Sequence, residues 1–479
     1  MSVNRILFWI GRTVFLCTAL YLSAALTALI SQDVSSAIVM ASLGVAIGVF
    51  GLLFVMLSSG TNAPEKKAEA IVFVILFWVF VPVFLALPFK FLVPGLGFLE
   101  AYFESVSAIT TTGATRLEPD DLPVVILFWR SLLQWFGGVS VATFAIVILA
   151  AVNLTGSGVH RSFLFTLKEG ELFGQLIAIG RLVAGVYILI SFVGFVLMTL
   201  AGAPAFDAIC LSLSGVSTGG LSPQTGPLQH YITPGAAFIL AIICVLGSMN
   251  IALIWDVLRH RRLKHIASIF TSAEHRAIFV IIACLVIVAV LFTDIQHIYH
   301  IILDSMFFAS SAGFQYQVIS VDMVPPAMLI TIALVGGSAL STAGGVKLIR
   351  MLLLFRHLST DLSRLSHPSR VVPVKFRAQT IPDSEFLSIW MYFFAYALTF
   401  GIGISLMGAF GLSIEDAITT AAASLANFGP LLGFTMPESA LTYADFTSGQ
   451  MVTFIGLMIL GRLEVLAVLA VLMPNFWRQ

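Results

Sequence analysis

The sequence predicts an all-α polytopic membrane protein with ten membrane-spanning helices, eight of which belong to four copies of one unit. Three observations predict this fold. The chain of 479 residues is 59% hydrophobic and 10% charged, whereas a soluble protein has about 25% charged residues. Ten apolar runs approach the roughly 20 residues that a spanning helix needs. Four short segments rich in Gly, Ser and Thr recur between these runs.

The ten apolar runs are distributed over the whole chain. They cover residues 6–30, 37–57, 70–92, 122–152, 179–200, 234–254, 277–292, 326–354, 386–410 and 450–472. The first run follows the basic Arg5 and includes alanines, which also fits a cleaved signal peptide. Its length and the second run directly after it favour an ordinary first helix, so we expect an N-terminal pair of spanning helices.

Lysine and arginine indicate the orientation of the chain. With both termini in the cytoplasm, as ten spans require, the outer segments hold Lys90 and Arg116, and nearly all other basic residues between the spans lie inside. This asymmetry is the positive-inside pattern. The outer segments have acids instead, which would concentrate cations there. These acids are Glu118, Asp120, Asp121, Asp322, Glu438 and Asp445.

The four polar segments occupy the same place in a repeated unit of long helix, short helix, glycine loop and long helix. They are Thr110-Thr-Thr-Gly113-Ala-Thr115, Val216-Ser-Thr-Gly219-Gly220, Ser310-Ser-Ala-Gly313-Phe314 and Ala426-Asn-Phe-Gly429-Pro430. The preceding apolar runs, 99–110, 204–215, 299–309 and 413–424, are too short to cross a membrane. We expect an N-terminal unit 1–62 and four repeats: 63–155, 156–262, 263–372 and 373–479.

A polar loop at membrane depth needs a polar partner, because backbone carbonyls in lipid must be paired or must line a cavity. Potassium filters replace the water shell of the ion with such carbonyls. Glycine permits the positive φ that aims them, and a short helix directs its negative carboxyl end at the ion. Close packing of small residues is the alternative. Fourfold recurrence favours four re-entrant pore helices with filter loops around one pseudo-fourfold pore.

The predicted filter takes three residues from each loop, with potassium bound at their backbone oxygens. They are Thr111, Thr112, Gly113, Ser217, Thr218, Gly219, Ser311, Ala312, Gly313, Asn427, Phe428 and Gly429.

These loops, together with four further motifs, resemble the Trk/Ktr/HKT superfamily of potassium transporters over the whole chain. The motifs are Leu133-Gln-Trp-Phe-Gly-Gly138, Gly336-Gly-Ser-Ala-Leu-Ser-Thr-Ala-Gly-Gly-Val-Lys347, Gly461-Arg-Leu-Glu464 and Phe476-Trp-Arg478. The N-terminal helix pair resembles the TrkH branch, because the Ktr branch begins with the first repeat.

The resemblance implies a potassium uptake protein of the bacterial inner membrane. It implies a homodimer with one pore per subunit, assembled on a TrkA-like ring of a cytosolic nucleotide-binding regulatory protein. Glycine in all four filters favours potassium over sodium. Ala312 departs from the hydroxylated residue that the family usually has, and we expect it to weaken one side-chain contact. Potassium is the substrate, and no bound cofactor or nucleic acid is expected.

The basic inner segments 259–265 and 350–377 are expected to contact the regulatory ring. Binding of anionic membrane lipid is the alternative for them.

A glycine-rich break, residues 336–345, interrupts the apolar run 326–354. It predicts either a kinked helix or an unwound intramembrane loop that gates the pore. The loop is favoured because unwound backbone at this depth must line a cavity and because the family has such a loop. A nucleotide-binding loop is excluded, since Gly-Gly-Val-Lys lacks the Gly-Lys-Ser/Thr order. The predicted gate residues are Gly336, Gly337, Gly344, Gly345, Lys347 and Arg462.

Arg462 lies within the last apolar run, where a charge is costly and usually functional. A structural ion pair with Glu464 is one interpretation, but side chains at i and i+2 point apart on a helix. We therefore expect Arg462 to face the pore below the filter and to oppose cation passage until the gate moves. Lys347 is either a gate contact or a residue that extends to the membrane surface.

Further charged residues lie near the filters. Arg130 is expected to brace the outer mouth against Glu104 or Asp121. Three acids near the short helices either cap helix N-termini or attract ions; they are Asp207, Asp304 and Asp416.

Three other functions are alternatives to a potassium conduit. A sodium- or proton-coupled potassium symporter could have the same fold. An intramembrane enzyme is not expected, because the spans contain no HExxH motif or nucleophile–base pair, and the four cysteines fit small buried side chains. A receptor without transport is not favoured either.

Overall fold

The computed structural model of the protein is helical almost throughout its described part. It describes residues 2–58, 66–151, 172–260, 269–292, 295–317, 324–366, 375–376, 379–380, 383–435, 441–463 and 465–473. The all-α prediction is confirmed. One antiparallel pair of two-residue strands, Lys375–Phe376 and Gln379–Thr380, is an addition that the apolar pattern did not indicate.

The helices follow the order that the repeats predict. In chain order they are α1 (Val3–Ile30), α2 (Val34–Ser58), α3 (Lys67–Leu85), α4 (Leu87–Leu92), α5 (Phe98–Ile109), α6 (Val124–Ala151), α7 (Leu172–Leu200), α8 (Ala205–Val216), α9 (Pro234–Ser248), α10 (Ile251–His260), α11 (Ala273–Phe292), α12 (Ile298–Ala309), α13 (Pro326–Val335), α14 (Leu348–Ser366), α15 (Asp383–Ala409), α16 (Ile414–Leu425), α17 (Leu431–Thr435), α18 (Ser448–Leu463) and α19 (Val465–Leu472).

Four of these helices are the short helices of the repeats. Helices α5, α8, α12 and α16 have 12 residues each, and their bounds lie within one residue of the predicted runs. Their carboxyl-terminal halves form the centre of the molecule, where nearly every side chain is buried. The long helices expose Leu, Ile, Val and Phe outward, as Phe192 and Leu398 do, which is the surface that lipid covers. We call α5, α8, α12 and α16 pore helices 1 to 4.

The second long helix is broken in repeats 2 and 3. In repeat 2, α9 and α10 meet at an angle of 103°, although the sequence predicted one continuous helix over 234–254. In repeat 3, residues 336–347 separate α13 from α14. Seven described helices are long and apolar enough to cross a membrane, or eight if the bent pair is one span. The breaks in repeats 2 and 3 divide two of the ten predicted apolar runs into helices that are each too short to be counted.

An N-terminal hairpin, α1 and α2, packs beside repeat 1. The two helices approach closely at paired glycines, since a Cβ atom on Gly51 would lie 2.8 Å from the carbonyl oxygen of Gly11. Arg5 of α1 forms an ion pair of 2.6 Å with Glu69 of α3, and the two side chains are 7% and 3% exposed. A buried ion pair therefore joins the hairpin to repeat 1.

Removing one partner of this ion pair should destabilise the protein more than removing both. Glu69→Gln leaves the guanidinium of Arg5 buried without its carboxylate, which costs about 3–5 kcal/mol in comparable sites. We expect a lower melting temperature for Glu69→Gln in detergent, measured by size-exclusion of heated samples. The double variant Arg5→Gln/Glu69→Gln should melt at a higher temperature than Glu69→Gln, and equal melting of the two variants would contradict the buried pair.

Candidate ion pathway

The four pore helices end in the same backbone conformation. The residue after each helix is a cap, namely Thr110, Ser217, Ser310 or Ala426. The residue after each cap has a left-handed backbone conformation although it is not a glycine. These residues are Thr111, Thr218, Ser311 and Asn427, with φ of 51°, 51°, 59° and 49°. Non-glycine residues rarely adopt this conformation. Its recurrence at four equivalent positions shows that the loops are copies of one structure.

This equivalence corrects the predicted register of the second loop. In each loop, a glycine lies two residues after the left-handed residue. These glycines are Gly113, Gly220, Gly313 and Gly429. The glycine of repeat 2 that matches Gly113 is therefore Gly220, with φ of 79° against 76°, and not Gly219. Two consecutive glycines made the register ambiguous in the sequence. We define filter loops 1 to 4 as residues 110–113, 217–220, 310–313 and 426–429.

The corrected register also changes the meaning of Ala312. Its equivalents in the other loops are Thr112, Gly219 and Phe428, so three of the four loops have no hydroxyl at this position. The loss of a side-chain hydroxyl at Ala312 is therefore not a departure from the pattern within this chain.

The four loops form a closed ring in the order of the sequence. If each loop glycine had a Cβ atom, that atom would lie within 2.6 Å of an atom of the neighbouring loop. For Gly429 this atom belongs to Ala114, the residue directly after filter loop 1. The distances are 2.0 Å from Gly113 to the Gly219 oxygen, 2.1 Å from Gly220 to the Ala312 oxygen, 2.6 Å from Gly313 to the Phe428 ring and 2.3 Å from Gly429 to the Ala114 nitrogen. No side chain fits at these contacts, because Cβ atoms essentially never come closer than 3.0 Å to such atoms.

Several filter carbonyls already accept hydrogen bonds from the protein. The Gly429 N–H donates to the Thr112 oxygen at 2.6 Å, which links loops 4 and 1 directly. Gln134 donates to the Gly219 oxygen at 2.7 Å, and the Tyr443 hydroxyl donates to the Gly429 oxygen at 2.6 Å. A carbonyl oxygen has two lone pairs, so each of these groups retains capacity for a cation.

A second set of glycines lets the following long helices reach the ends of the pore helices. Cβ atoms on Gly137, Gly247 and Gly461 would lie 1.8, 2.2 and 2.4 Å from the last carbonyl oxygens of pore helices 1, 2 and 4. Gly137 and Gly461 belong to motifs that the sequence singled out, but without a structural reason. Gly247 was missed, and its position about 30 residues after the pore helix, like that of Gly137, was the available signal.

Above the ring lies an outer cavity of about 600 Å³, lined by glycines of all four loops. Glu118 and Arg130 also line it, so its rim is not purely acidic. Outside it, hydrogen bonds from the side chain and the backbone of Thr442 hold the pKa of the Asp445 carboxyl below its usual value. That carboxylate is therefore charged at neutral pH. The predicted outer acids Asp322 and Glu438 lie outside the described residues.

Arg130 connects the chain segments that directly follow filter loops 1 and 2. Its guanidinium donates to the Ser222 oxygen at 3.0 Å and to the Thr115 hydroxyl at 3.4 Å. That hydroxyl in turn donates to Glu104 at 2.9 Å. Of the two acids predicted as partners, Glu104 is reached through the Thr115 hydroxyl and not by a direct ion pair.

The predicted acids near the pore helices have different roles. Glu104 and Asp304 occupy equivalent positions in pore helices 1 and 3, and each accepts the backbone N–H twelve residues later, at 2.6 Å. Asp304 thus holds the segment that follows filter loop 3, at Tyr316. Ser413, and not Asp416, caps pore helix 4, since its hydroxyl oxygen accepts the Asp416 N–H at 3.1 Å; the Asp416 carboxylate in turn accepts the Ser413 hydroxyl at 2.8 Å. Asp207 accepts the side chain of Gln224 at 2.6 Å.

Below the ring, residues 336–347 are not helical, and the kinked-helix alternative is wrong. We call this segment the intramembrane loop. Three of its residues have positive φ: Gly336, Gly345 and Lys347 at 73°, 77° and 81°. A Cβ atom on Gly344 would lie 1.6 Å from the carbonyl oxygen of Ala426, the first residue of filter loop 4. Gly337 approaches Ala343, where a Cβ would lie 2.4 Å away.

Arg462 lies between the ring and the intramembrane loop, as predicted. Its guanidinium donates to the Thr110 oxygen and the Thr111 hydroxyl of filter loop 1, both at 2.6 Å. It also donates to the Thr342 oxygen of the intramembrane loop at 2.7 Å. The alternative partner Glu464 lies outside the described residues. Arg462 therefore joins filter and loop through neutral acceptors.

Further contacts hold the intramembrane loop. The hydroxyls of Thr342 and Thr218 are 3.0 Å apart, which links the loop to filter loop 2. Lys347 donates to the oxygens of Ser341, at 3.0 Å, and Ala343. Lys347 thus contacts the backbone of the intramembrane loop.

Glu274 and His275 at the start of α11 were missed by the sequence analysis. The buried Glu274 carboxylate accepts the Ala339 N–H at 2.8 Å and the Ser338 hydroxyl. His275 accepts the Asn250 N–H at 3.1 Å, at the break between α9 and α10. A carboxylate close to the start of an apolar run was the signal for Glu274.

Four short helices that converge on one ring of loops, in a helical protein with an apolar outer surface, are the architecture of a membrane transport protein. The chain belongs to the TrkH family of cation transport proteins, because the sequence model of that family matches residues 36–478. This is a family of transporters and not of enzymes. Over the described residues, no group of three or more His, Cys, Asp or Glu could hold a metal ion.

Individual relatives support the assignment over the full length. The Trk system potassium uptake proteins TrkH of Salmonella typhimurium and Escherichia coli are 32% and 31% identical, over 100% of this chain and 99% of theirs. The crystal structure of the potassium transporter TrkH from Vibrio parahaemolyticus superimposes with a TM-score of 0.86 at 28% identity, covering 100% of both chains.

Filling the contact at Gly137 should disturb the pathway. Gly137→Ala places a methyl group against the Ile109 oxygen, and overpacking of this kind costs about 1–3 kcal/mol. We expect a lower melting temperature and slower rubidium uptake into proteoliposomes. Gly456→Ala in α18, which has no neighbour within 4 Å, is the matched control. Equal behaviour of the two variants would contradict the close contact.

Proposed function

We propose that the protein takes up potassium across the bacterial inner membrane through the ring of filter loops. The closed ring of four left-handed loops at the carboxyl ends of four pore helices is the main support. Pore helices direct the negative ends of their dipoles to the ring, and backbone carbonyls can replace the water shell of potassium. The relatives named as potassium uptake proteins support the choice of ion.

The proposed filter consists of the predicted residues with the second register corrected. It includes Thr111 to Gly113, Thr218 to Gly220, Ser311 to Gly313 and Asn427 to Gly429, with Ser217 at the position of Thr110. The membrane potential would drive uptake, and it is worth about 2.3 kcal/mol per charge for each 100 mV.

The intramembrane loop and Arg462 form the proposed gate. A fixed positive charge directly below the filter raises the energy of a cation there. The loop contacts filter loops 1 and 2 through Arg462 and Thr342, and filter loop 4 through Gly344. Opening requires these contacts to break. In this proposal, the hydrogen bonds of Glu274 to Ser338 and Ala339 transmit movement of α11 to the intramembrane loop.

The regulatory partner is a cytosolic TrkA-like nucleotide-binding ring, bound by a homodimer with both termini in the cytoplasm. The relatives' names make them parts of a Trk system, which supports a multicomponent assembly. Arg350 is not part of the proposed docking surface, because it is buried and stacks on Tyr392 at 3.8 Å from the ring centroid. Arg356 and Arg364 of α14 remain candidates.

Rubidium uptake into potassium-loaded proteoliposomes tests the proposed function. We expect uptake that potassium inhibits and that proceeds without sodium. Reversal potentials measured under imposed sodium and pH gradients separate a conduit from a symporter. A reversal potential that follows the potassium gradient alone supports the conduit, and one that shifts with sodium or protons indicates the symporter. Absence of uptake would contradict the proposal.

Gly113→Ser should admit sodium. The new Cβ atom would lie 2.0 Å from the Gly219 oxygen, so filter loops 1 and 2 would have to move apart. The serine would also have to keep a positive φ, which alone costs about 1–2 kcal/mol. We expect the preference for potassium over sodium to fall about tenfold, the ratio that roughly 1.4 kcal/mol supports. Gly95→Ser is the control, since Gly95 has φ of 77° but no neighbour within 4 Å. Unchanged preference in Gly113→Ser would refute the filter assignment.

Variants of Arg462 distinguish a charge barrier from a hydrogen-bonded link. Arg462→Gln removes the charge, whereas Arg462→Lys keeps the charge but cannot make the same three bonds. If the charge is the barrier, Arg462→Gln should conduct several-fold faster than the wild type and Arg462→Lys should not. If the link holds the gate closed, both should conduct faster. Flux at or below the wild-type level in both variants would remove Arg462 from the gate.

A further inference from the structure

Gln134 of α6 is a fully buried side chain that reaches from repeat 1 into repeat 2. Its amide nitrogen donates to the Gly219 oxygen at 2.7 Å, and its amide oxygen accepts the Ser214 hydroxyl at 2.6 Å. Because a backbone carbonyl is an acceptor only, the amide nitrogen must face Gly219. The side chain therefore bridges pore helix 2 and filter loop 2 in one defined orientation.

The contact between Gln134 and Gly219 leaves no free space. A Cβ atom on Gly219 would lie 2.3 Å from the amide carbon of Gln134. The Gly219 N–H is also fixed, because it donates to the Ser214 oxygen at 2.9 Å. Both polar groups of the Gly219 residue are thus held, the N–H by pore helix 2 and the carbonyl by Gln134 of α6.

The same carbonyl determines the contact between filter loops 1 and 2. The Gly219 oxygen lies 2.0 Å from the position of a Cβ on Gly113, so a movement of this oxygen changes the spacing of the two loops. Tyr443 holds the Gly429 carbonyl of loop 4 in a comparable way, at 2.6 Å. In the closed ring, loops 2 and 4 lie on opposite sides.

We propose that Gln134 is a positioning residue that sets the selectivity of the filter for potassium over a smaller cation. The proposal rests on the proposed function. A carbonyl without its donor is free to turn toward the ion, and a flexible filter adapts to sodium more readily than a fixed one. Gln134 restrains the Gly219 carbonyl and thereby preserves the distance between loops 1 and 2 that suits potassium.

Gln134→Met tests this role, because methionine has a similar length but no donor. Potassium-to-sodium permeability ratios from reversal potentials, together with rubidium uptake rates, are measured in proteoliposomes. We expect the ratio to fall about tenfold, the size of effect that one ordinary hydrogen bond can produce. A role limited to folding would slow transport of both ions equally and leave the ratio unchanged.

Gln450→Met is the matched control. The Gln450 amide also donates to a backbone carbonyl, that of Phe410 at 3.1 Å, but outside the filter. Its permeability ratio should equal that of the wild type. A ratio that falls equally in both glutamine variants would overturn the proposal.

If Gln134→Met does not fold, Ser214→Ala decides the question, because it keeps the donor but removes the partner that orients the amide. A lowered ratio in Ser214→Ala supports the proposal, and an unchanged ratio overturns it. A wild-type ratio in a folded Gln134→Met overturns the inference alone. A wild type without preference for potassium overturns the proposed function and the inference together.

Discussion

The pathway depends on one steric constraint: four backbone loops meet where no side chain fits. Each loop glycine faces an atom of the neighbouring loop closer than a Cβ atom would tolerate. The ring is closed by this contact, and the N–H of Gly429 bonds to the Thr112 oxygen across one of its junctions. A second set of contacts without side chains, at Gly137, Gly247 and Gly461, brings the long helices against the pore helices. Close contact between backbones thus organises both the ring of filter loops and the packing of the long helices against the pore helices.

The intramembrane loop is fixed by the same ring that it lies under. Arg462 and Thr342 connect it to filter loops 1 and 2, while Gly344 contacts the base of filter loop 4. Glu274 anchors it from the side of its own repeat. Because these anchors belong to all four repeats, a change in the position of any repeat alters the support of the loop.

The sequence predicted the helical class, the four short helices and the region of Arg462, because apolar run length and isolated charges follow directly from the membrane environment. It did not predict which glycine of the pair Gly219 and Gly220 matches Gly113, since composition does not record where a helix ends. The 103° break after α9 was also missed, because Met249 and Asn250 do not interrupt the apolar pattern. Contacts between distant segments, such as Glu274 with Ala339, leave no local signal.

Arg462 occurs once although the ring has four positions of comparable geometry. In an assembly of four identical chains, any residue below the filter would appear four times. Four guanidinium groups crowded around one axis would repel each other strongly, and every contact with the loop would be repeated fourfold. A single covalent chain avoids this multiplication, so one side chain can occupy one position below the ring without three copies of itself. The linkage of the repeats into one polypeptide therefore allows a single asymmetric crosslink beneath a nearly symmetric ring.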